Sequence, residues 1–151
     1  MSRPAELHVV AVFQDAEWAR RGLEALVRDG FTPGTLSAIG MPSPGVAMLF
    51  SDILVQAPRT ILLRDVGAVS AAGPLLSVLE GEDEGLSRRG LTASLRRAGF
   101  QPHDGQIFER LLTRGGVLVS VVGETRAADA LARLHAYGGG NAAIGAWSGR
   151  I

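Results

Sequence analysis

The two ends of the chain carry the same residue pattern, and this internal repeat constrains the fold more than any other feature. Residues 9–38 align without gaps with residues 117–146. Identical residues stand at six matched places: Val9 and Val117, Ala19 and Ala127, Leu23 and Leu131, Leu26 and Leu134, Gly30 and Gly138, and Ala38 and Ala146. The shared pattern of apolar and polar positions extends beyond these identities. It predicts two equivalent units, residues 7–41 and 116–148, joined by the insert 42–115 within a single domain, residues 1–151.

Each copy of the repeat predicts a strand, a helix and a second strand. The apolar runs 8–13 and 117–122 are rich in β-branched residues, as is typical of strands lying centrally in a sheet. Apolar residues at helical spacing follow, and residues 35–40 and 142–147 complete the units. The predicted helix caps are Asp15 and Gly30 in the first copy and Thr125 and Gly138 in the second.

Two strand–helix–strand units of this size predict an α+β protein with a ferredoxin-like split arrangement. That arrangement is a four-stranded antiparallel sheet with two helices on one face, and the first strands of the two units pair at its centre. The other face of the sheet then has to be covered by the insert, by a second subunit or by a ligand. The sequence leaves these three possibilities open.

The insert is predicted to be long and mostly helical. Its predicted elements are strands at residues 46–56 and 60–63, a helix at 74–79, a helix that begins among the acidic residues 80–84 and ends at Gly99, and a helix at 102–114. In the second of these helices, acids near the start and arginines farther along complement the helix dipole.

Composition excludes several classes of function. The 15 basic residues are balanced by 15 Asp and Glu, so the electrostatic basis for nucleic-acid binding is missing. All 15 are Arg, which excludes a lysine Schiff base, and the chain has no Cys for a thiolate metal site. His8, His103 and His135 have no second ligand at the spacing of a helical metal site. We therefore expect no cofactor, no metal ion and no nucleic-acid partner.

Three stretches of the chain are similar to those of a known family. They read VVAVF at residues 9–13, AAGPL at residues 71–75 and AGFQPHDGQIFERLLTRGGVLVSV at residues 98–121. These three stretches, together with the order of the predicted strands and helices, resemble the bacterial heat-induced or general stress protein domain family. The resemblance implies a bacterial, cytoplasmic protein linked to stress, with no established catalytic residues. Phe108 stands where that family commonly has Tyr.

These motifs also supply candidate residues for a ligand site or an interface. Gly73 and Pro74 come from AAGPL, and Phe108 and Glu109 form the aromatic–Glu pair of the last helix in the insert. Trp147 joins them because it lies on a predicted edge strand, where an exposed Trp favours dimerisation.

We expect a non-enzymatic, cytoplasmic, stress-associated protein that acts by self-association, as a homodimer, or by binding a protein partner. One alternative is a regulatory module that binds a small ligand. Another is a dimeric α/β-barrel-type enzyme that uses His103, Asp104 or Glu109. The N-terminus lacks the apolar core of a signal peptide, and the apolar run 66–79 is too short and too broken to span a bilayer, although peripheral membrane contact through it is a further interpretation.

Overall fold

The protein is built around one antiparallel sheet with helices on both faces. The computed structural model describes residues 6–64, 66–81, 85–98, 102–122, 129 and 145–149. The strands are β1 (Glu6–Phe13), β2 (Leu36–Gly40), β3 (Arg59–Leu63), β4 (Gly67–Ala72), β5 (Val117–Val122) and β6 (Gly145–Gly149). The helices are α1 (Ala16–Arg28), α2 (Pro44–Met48), α3 (Pro74–Glu80), α4 (Gly85–Arg89), α5 (Leu91–Ala98) and α6 (Pro102–Thr113). A 3₁₀ turn at Pro33–Thr35 and a π-helix at Leu49–Leu54 complete the described elements.

The first strands of the two repeat units lie side by side. β1 pairs antiparallel with β5, with Val10 opposite Ser120. β2 lies on the other side of β5, and β6 lies on the other side of β1. The pairing predicted from the repeat is therefore confirmed. The predicted second-unit helix and its caps, Thr125 and Gly138, lie outside the described residues, apart from Asp129 within that helix.

The predicted four-stranded sheet is too small, because the insert adds a hairpin to it. The strand order is β3-β4-β2-β5-β1-β6. β4 pairs with the side of β2 that would otherwise be free, with Ala72 opposite Ala38, and β3 pairs with β4. A free β2 would present a row of unpaired backbone N–H and C=O groups. The hairpin moves that edge outward to β3.

The front face of the sheet, as we name it, carries Val9, Ala11 and Phe13 of β1 and is covered by α1, α2 and the π-helix. The buried residues that these helices contribute are Ala19, Leu23, Leu26, Val46, Leu49, Phe50, Ile53 and Leu54. α1 starts where the sequence predicts, because the Asp15 carboxylate accepts a hydrogen bond from the Trp18 N–H at 2.9 Å.

The back face carries Val10 and Val12 of β1 and is covered by the insert. The buried residues that α3 to α6 contribute are Leu75, Leu76, Leu79, Leu86, Leu91, Leu95, Phe108 and Leu112. The sequence left three possibilities for what covers this face: the insert, a second subunit or a ligand. The structure shows the insert in that position. Most of the run 66–79 lies in β4 and α3, and its Val69, Leu75, Leu76 and Leu79 side chains are buried in this core.

Two further predictions for the insert are wrong. Of residues 46–56, predicted as a strand, 46–54 lie in α2 and the π-helix, because Ser43 caps a helix there by accepting a hydrogen bond from the Val46 N–H at 3.1 Å. The helix predicted to end at Gly99 is instead two helices, α4 and α5. Gly90 separates them with φ of 88°, a conformation that interrupts a right-handed helix.

No helix among the described residues is both long enough and apolar enough to cross a membrane.

Candidate interaction surface

Gly73 and Pro74, both predicted site residues, join β4 to α3 and have a packing role. Gly73 has φ of 111° and ψ of 173°, a region occupied almost only by glycine. A Cβ at this position would lie 2.3 Å from Ser37 Oγ and 2.5 Å from Leu36 O. In the first turn of α3, the Leu75 N–H donates a buried hydrogen bond to Ser37 Oγ at 2.9 Å. The missing side chain at Gly73 therefore allows α3 to begin directly on β2.

Phe108 and Glu109 are neighbours on α6, and each has a structural partner. Phe108 is 1% exposed and belongs to the back-face core. The Glu109 carboxylate accepts a hydrogen bond from the Thr92 N–H at 2.8 Å. Thr92 lies in the first turn of α5, where backbone N–H groups have no partner within the helix. Glu109 thus caps α5 from the neighbouring helix.

Trp147 lies on a different strand of the sheet from the one on which Gly73 packs. It stands on β6, opposite His8 of β1, at the opposite edge of the sheet from β3. β5 and β1 separate β6 from β2, on which Gly73 packs. With a strand spacing of about 4.8 Å, this separation is roughly 14 Å. Gly73 and Trp147 therefore do not belong to one compact site.

The residues considered for catalysis are placed only in part. His103 and Asp104 lie in the first turn of α6, but their side chains, like all of His135, fall outside the described residues. Within the described part of the chain, no three His, Asp or Glu side chains come together as metal ligands.

The outer part of the front face is not covered by any described helix, and we call this surface the open flank. Its side chains are Thr60 and Leu62 of β3 and Ala68 and Ser70 of β4. Leu62 is 70% exposed, and Thr60 and Ala68 are exposed too. The alternate residues Ile61 and Val69 point to the back face and are 3% and 0% exposed. Among the described helices, those of the insert therefore cover only one side of this hairpin.

β3 is also an edge strand. In the described part of the chain no strand pairs with its outer side, so its outward N–H and C=O groups are available to another strand. Arg59 at its start and Arg64 just after its end are exposed. The residues between them, 60–63, carry no charge. β3 thus combines a free edge with an uncharged centre.

α2 borders the open flank on the side towards β2. Gly40 of β2 is the cross-strand partner of Ser70, and a Cβ at Gly40 would lie 3.2 Å from Val46 Cγ2 of α2. α2 therefore lies over Gly40 and stops short of the hairpin. Met48, at the end of the same helix, is 53% exposed and adds apolar surface on this side of the molecule.

A second feature of the front side is an open cleft of about 330 Å³ between the second half of α1 and the end of the π-helix. Its apolar lining consists of Val27, Pro33, Ile53 and Val55, and its charged lining consists of Glu24, Arg28 and Asp52. Val27 and Val55 are 37% and 71% exposed. Two of the four exposed large apolar side chains in the described part of the chain therefore lie in this cleft.

Val55, at the rim of the cleft, has a strained backbone. Its φ of 52° and ψ of 47° are left-handed, which costs an L-residue about 1–2 kcal/mol. The next residue holds this conformation. The Gln56 N–H donates to Phe50 O at 3.1 Å, and Gln56 Nε2 donates to Pro33 O at 3.2 Å and to Leu36 O at 3.0 Å.

The exposed side of α1 carries a network of ion pairs. Glu17 pairs with Arg20 and Arg21, and Arg20 Nη1 also lies 2.6 Å from Glu24 Oε1. The hydrogen bond from Arg20, assisted by its charge, lowers the pKa of Glu17 below its ordinary value. The Arg21 guanidinium carbon lies 4.9 Å from the centre of the Trp18 ring. These charges are engaged with one another on the surface of α1.

The open flank and the cleft were not predicted from the sequence. The only signal for the flank is the pair Arg59 and Arg64 around a short apolar stretch, which is typical of a protected edge strand. For the cleft there is none, since its walls come from residues about thirty positions apart in the chain, and Val55 is a residue type that rarely adopts a left-handed backbone.

Comparisons with known proteins found no match. No protein-family model, curated protein or solved structure is similar enough to this chain to be significant. The functional role is therefore inferred below from the geometry of the chain.

Proposed function

We propose that the protein works by self-association through the open flank and the outer edge of β3. The observation that carries this proposal is Leu62, a large apolar side chain that is 70% exposed. It lies near the middle of an edge strand, on a sheet face that no described helix covers at that point. A second copy of the chain suits this surface, because an edge strand can pair with its own copy about a two-fold axis.

The charges of β3 fit an antiparallel pair of two copies. With Ile61 opposite Ile61 of the partner subunit, Arg59 lies opposite Leu63 and Arg64 lies opposite Pro58 of the partner subunit. Side chains alternate between the faces of a sheet, so Arg59 of one copy and Arg64 of the partner subunit, the arginines nearest to each other across the pair, fall on opposite faces and avoid the repulsion of like charges set directly across from each other. Parallel pairing in register would place each arginine beside its own copy.

The expected dimer is weak. Fully burying one Leu side chain contributes about 1.5–3 kcal/mol, and β3 has 5 residues, enough for only a few backbone hydrogen bonds across the two-fold axis. We therefore expect a dimer that forms at high protein concentration and dissociates on dilution.

The test is the molar mass of the protein by size-exclusion chromatography with light scattering over a wide concentration range. The wild type should approach the dimer mass, and Leu62→Lys should remain a monomer, because a charge would stand in the apolar contact. Val55→Lys is the matched control, since Val55 is 71% exposed but lies in the cleft, and it should dimerise like the wild type. The proposal would be contradicted if the wild type stayed monomeric at all concentrations, or if Leu62→Lys and Val55→Lys weakened the dimer equally.

The finer fold and the family form part of the same proposal. The order β2-β5-β1-β6 within the sheet is compatible with a split βαβ pair, and we take the chain to be a ferredoxin-like unit enlarged by the β3–β4 hairpin and the helices of the back face. With the resemblance to general stress proteins, this favours a non-enzymatic, cytoplasmic role in the stress response. Protein abundance measured before and after heat shock tests that role, and an unchanged abundance would speak against it.

A further inference from the structure

We propose that the cleft between α1 and the π-helix binds a small organic cation with an apolar stem, such as a primary ammonium or guanidinium compound. This site is separate from the open flank and does not depend on self-association. Its volume of about 330 Å³ lies at the small end of the range of ligand pockets.

Two walls of the cleft carry a carboxylate each. Glu24 lies on α1 and Asp52 lies on the π-helix. Glu24 accepts a hydrogen bond from Arg20 at 2.6 Å, and Asp52 accepts one from Ser51 Oγ at 3.0 Å. A carboxylate has about four lone-pair positions, so each has capacity for a further donor. An ammonium or guanidinium group between the walls could donate to both.

The end of α1 adds negative potential to this side of the cleft. The C-terminus of a helix carries about half a negative charge, which favours a cation in the last turn. Arg28 supplies one such cation from the protein itself, and it is engaged in contacts of its own. Arg20 neutralises much of the charge of Glu24, but Asp52 and the helix terminus together still exceed the charge of Arg28, so the potential favours a cationic ligand over an anionic one.

The apolar lining selects for a ligand with a hydrocarbon stem. Val27 and Val55, which are 37% and 71% exposed, line the cleft together with Pro33 and Ile53. A short alkyl chain would remove this surface from water, at about 25 cal/mol for each Å² buried. A bare metal ion would leave it exposed, so the lining favours an organic cation.

The rim of the cleft is held in place before a ligand binds. Gln56 ties the strained Val55 to the 3₁₀ turn and to the start of β2 through Pro33 O and Leu36 O. A rim fixed in this way loses little conformational freedom on binding, which favours affinity in a small site.

The test uses three probes of the same size: n-butylammonium, n-butanol and n-butyrate. Titrations followed by amide chemical shifts should show saturable changes around residues 24–28 and 52–56 with butylammonium, and at least about tenfold weaker binding of the other two, a difference of 1.4 kcal/mol. Equal binding of all three probes, preference for butyrate, or absence of a saturable change with butylammonium would overturn the proposal.

Two variants assign the effect to the cleft. Asp52→Asn should weaken butylammonium binding by about tenfold, because it removes one of the two charges without changing the shape of the side chain. Glu109→Gln is the control: it removes the same charge at a residue of α6 that contacts α5 and does not line the cleft, and its affinity for butylammonium should be unchanged. Equal affinity in the wild type and Asp52→Asn would refute the site. Repeating the titration on Leu62→Lys separates it from self-association, since the binding should persist in that variant.

Discussion

Replacing Gly73 with Ala should be among the most damaging small substitutions in this protein. Two independent costs fall on the new methyl group. The backbone at φ of 111° and ψ of 173° costs a non-glycine residue about 1–3 kcal/mol. The new Cβ would also lie 2.3 Å from Ser37 Oγ and 2.5 Å from both Leu36 O and Ser37 Cα. Two of these three atoms belong to the backbone of β2 and cannot rotate away.

The start of α3 would therefore have to move off β2 in Gly73→Ala. That movement stretches the buried hydrogen bond from the Leu75 N–H to Ser37 Oγ, and leaving such a group unpaired costs about 1–3 kcal/mol. We expect a loss of about 3–5 kcal/mol in the free energy of unfolding, which is a large share of the roughly 5–15 kcal/mol of a typical domain.

The assay is urea denaturation followed by circular dichroism at a fixed protein concentration, with two glycine controls. Gly67 has a similar φ of 107° but no atom within 4 Å of a new Cβ, so Gly67→Ala isolates the backbone cost of about 1–3 kcal/mol. Gly34 has neither a positive φ nor a close neighbour, and Gly34→Ala should be neutral or stabilising by up to about 1 kcal/mol. A loss in Gly73→Ala no larger than that in Gly67→Ala would refute the close approach of α3 to β2.

Three further predictions concern single contacts. Val55→Asn should raise the free energy of unfolding by about 1 kcal/mol in urea denaturation, because Asn tolerates a left-handed backbone better than a β-branched residue does. Little packing is lost, since Val55 is 71% exposed. A loss of stability in this variant would show that Val55 is not strained. Glu109→Ala should lower the free energy of unfolding by about 1–2 kcal/mol, because the Thr92 N–H loses its acceptor. Glu109→Gln keeps an oxygen that can accept this hydrogen bond and should lower the stability less. Equal losses in the two variants would argue against the cap. The lowered pKa of Glu17 means that its contribution to stability is present above the ordinary Glu pKa and disappears as the pH falls through the lowered value. In an NMR titration, Arg20→Gln should move the pKa of Glu17 up towards its ordinary value, and an unchanged pKa would exclude Arg20 as the cause.

The central part of the fold could be predicted because the repeat carries it. Residues 9–13 and 117–121 of the two β-branched runs are buried in the centre of the sheet. The spacing of Leu23 and Leu26 on α1 is that of an amphipathic helix. These signals are local, and pairing the two equivalent runs was enough to place β1 beside β5.

The insert was harder to predict because its apolar runs fit two kinds of structure. Residues 46–50 are apolar without a break, which suits a buried strand or a buried helix equally. The deciding signal was Ser43 followed by Pro44, an N-cap and a proline at the first helical position. The extension of the sheet by β3 and β4 depends on β2 having a free edge, which local patterns do not report.

The candidate surfaces follow from where the covering helices stop. Leu62 is apolar and would be predicted as core, but it is 70% exposed, and α2 packs over Gly40 of β2 rather than over β3. Gly73, Phe108 and Glu109 stand out in the sequence for a different reason. Gly73 allows a close approach of two elements, Phe108 fills the core and Glu109 caps a helix, and each of these structural roles restricts which residue type can stand at the position. Sequence motifs in this chain thus indicate structural roles, while the open flank depends on tertiary packing.

Hydrogen exchange of the β3 amides at low and high protein concentration is the most direct measurement of self-association at this edge. In a monomer, the amides of Thr60–Leu63 that point outward have no strand to bond with and should exchange quickly. Their exchange should slow as the wild-type concentration rises, while the same amides in Leu62→Lys should exchange quickly throughout. Identical exchange at both concentrations in the wild type would show that this edge does not join two copies of the chain.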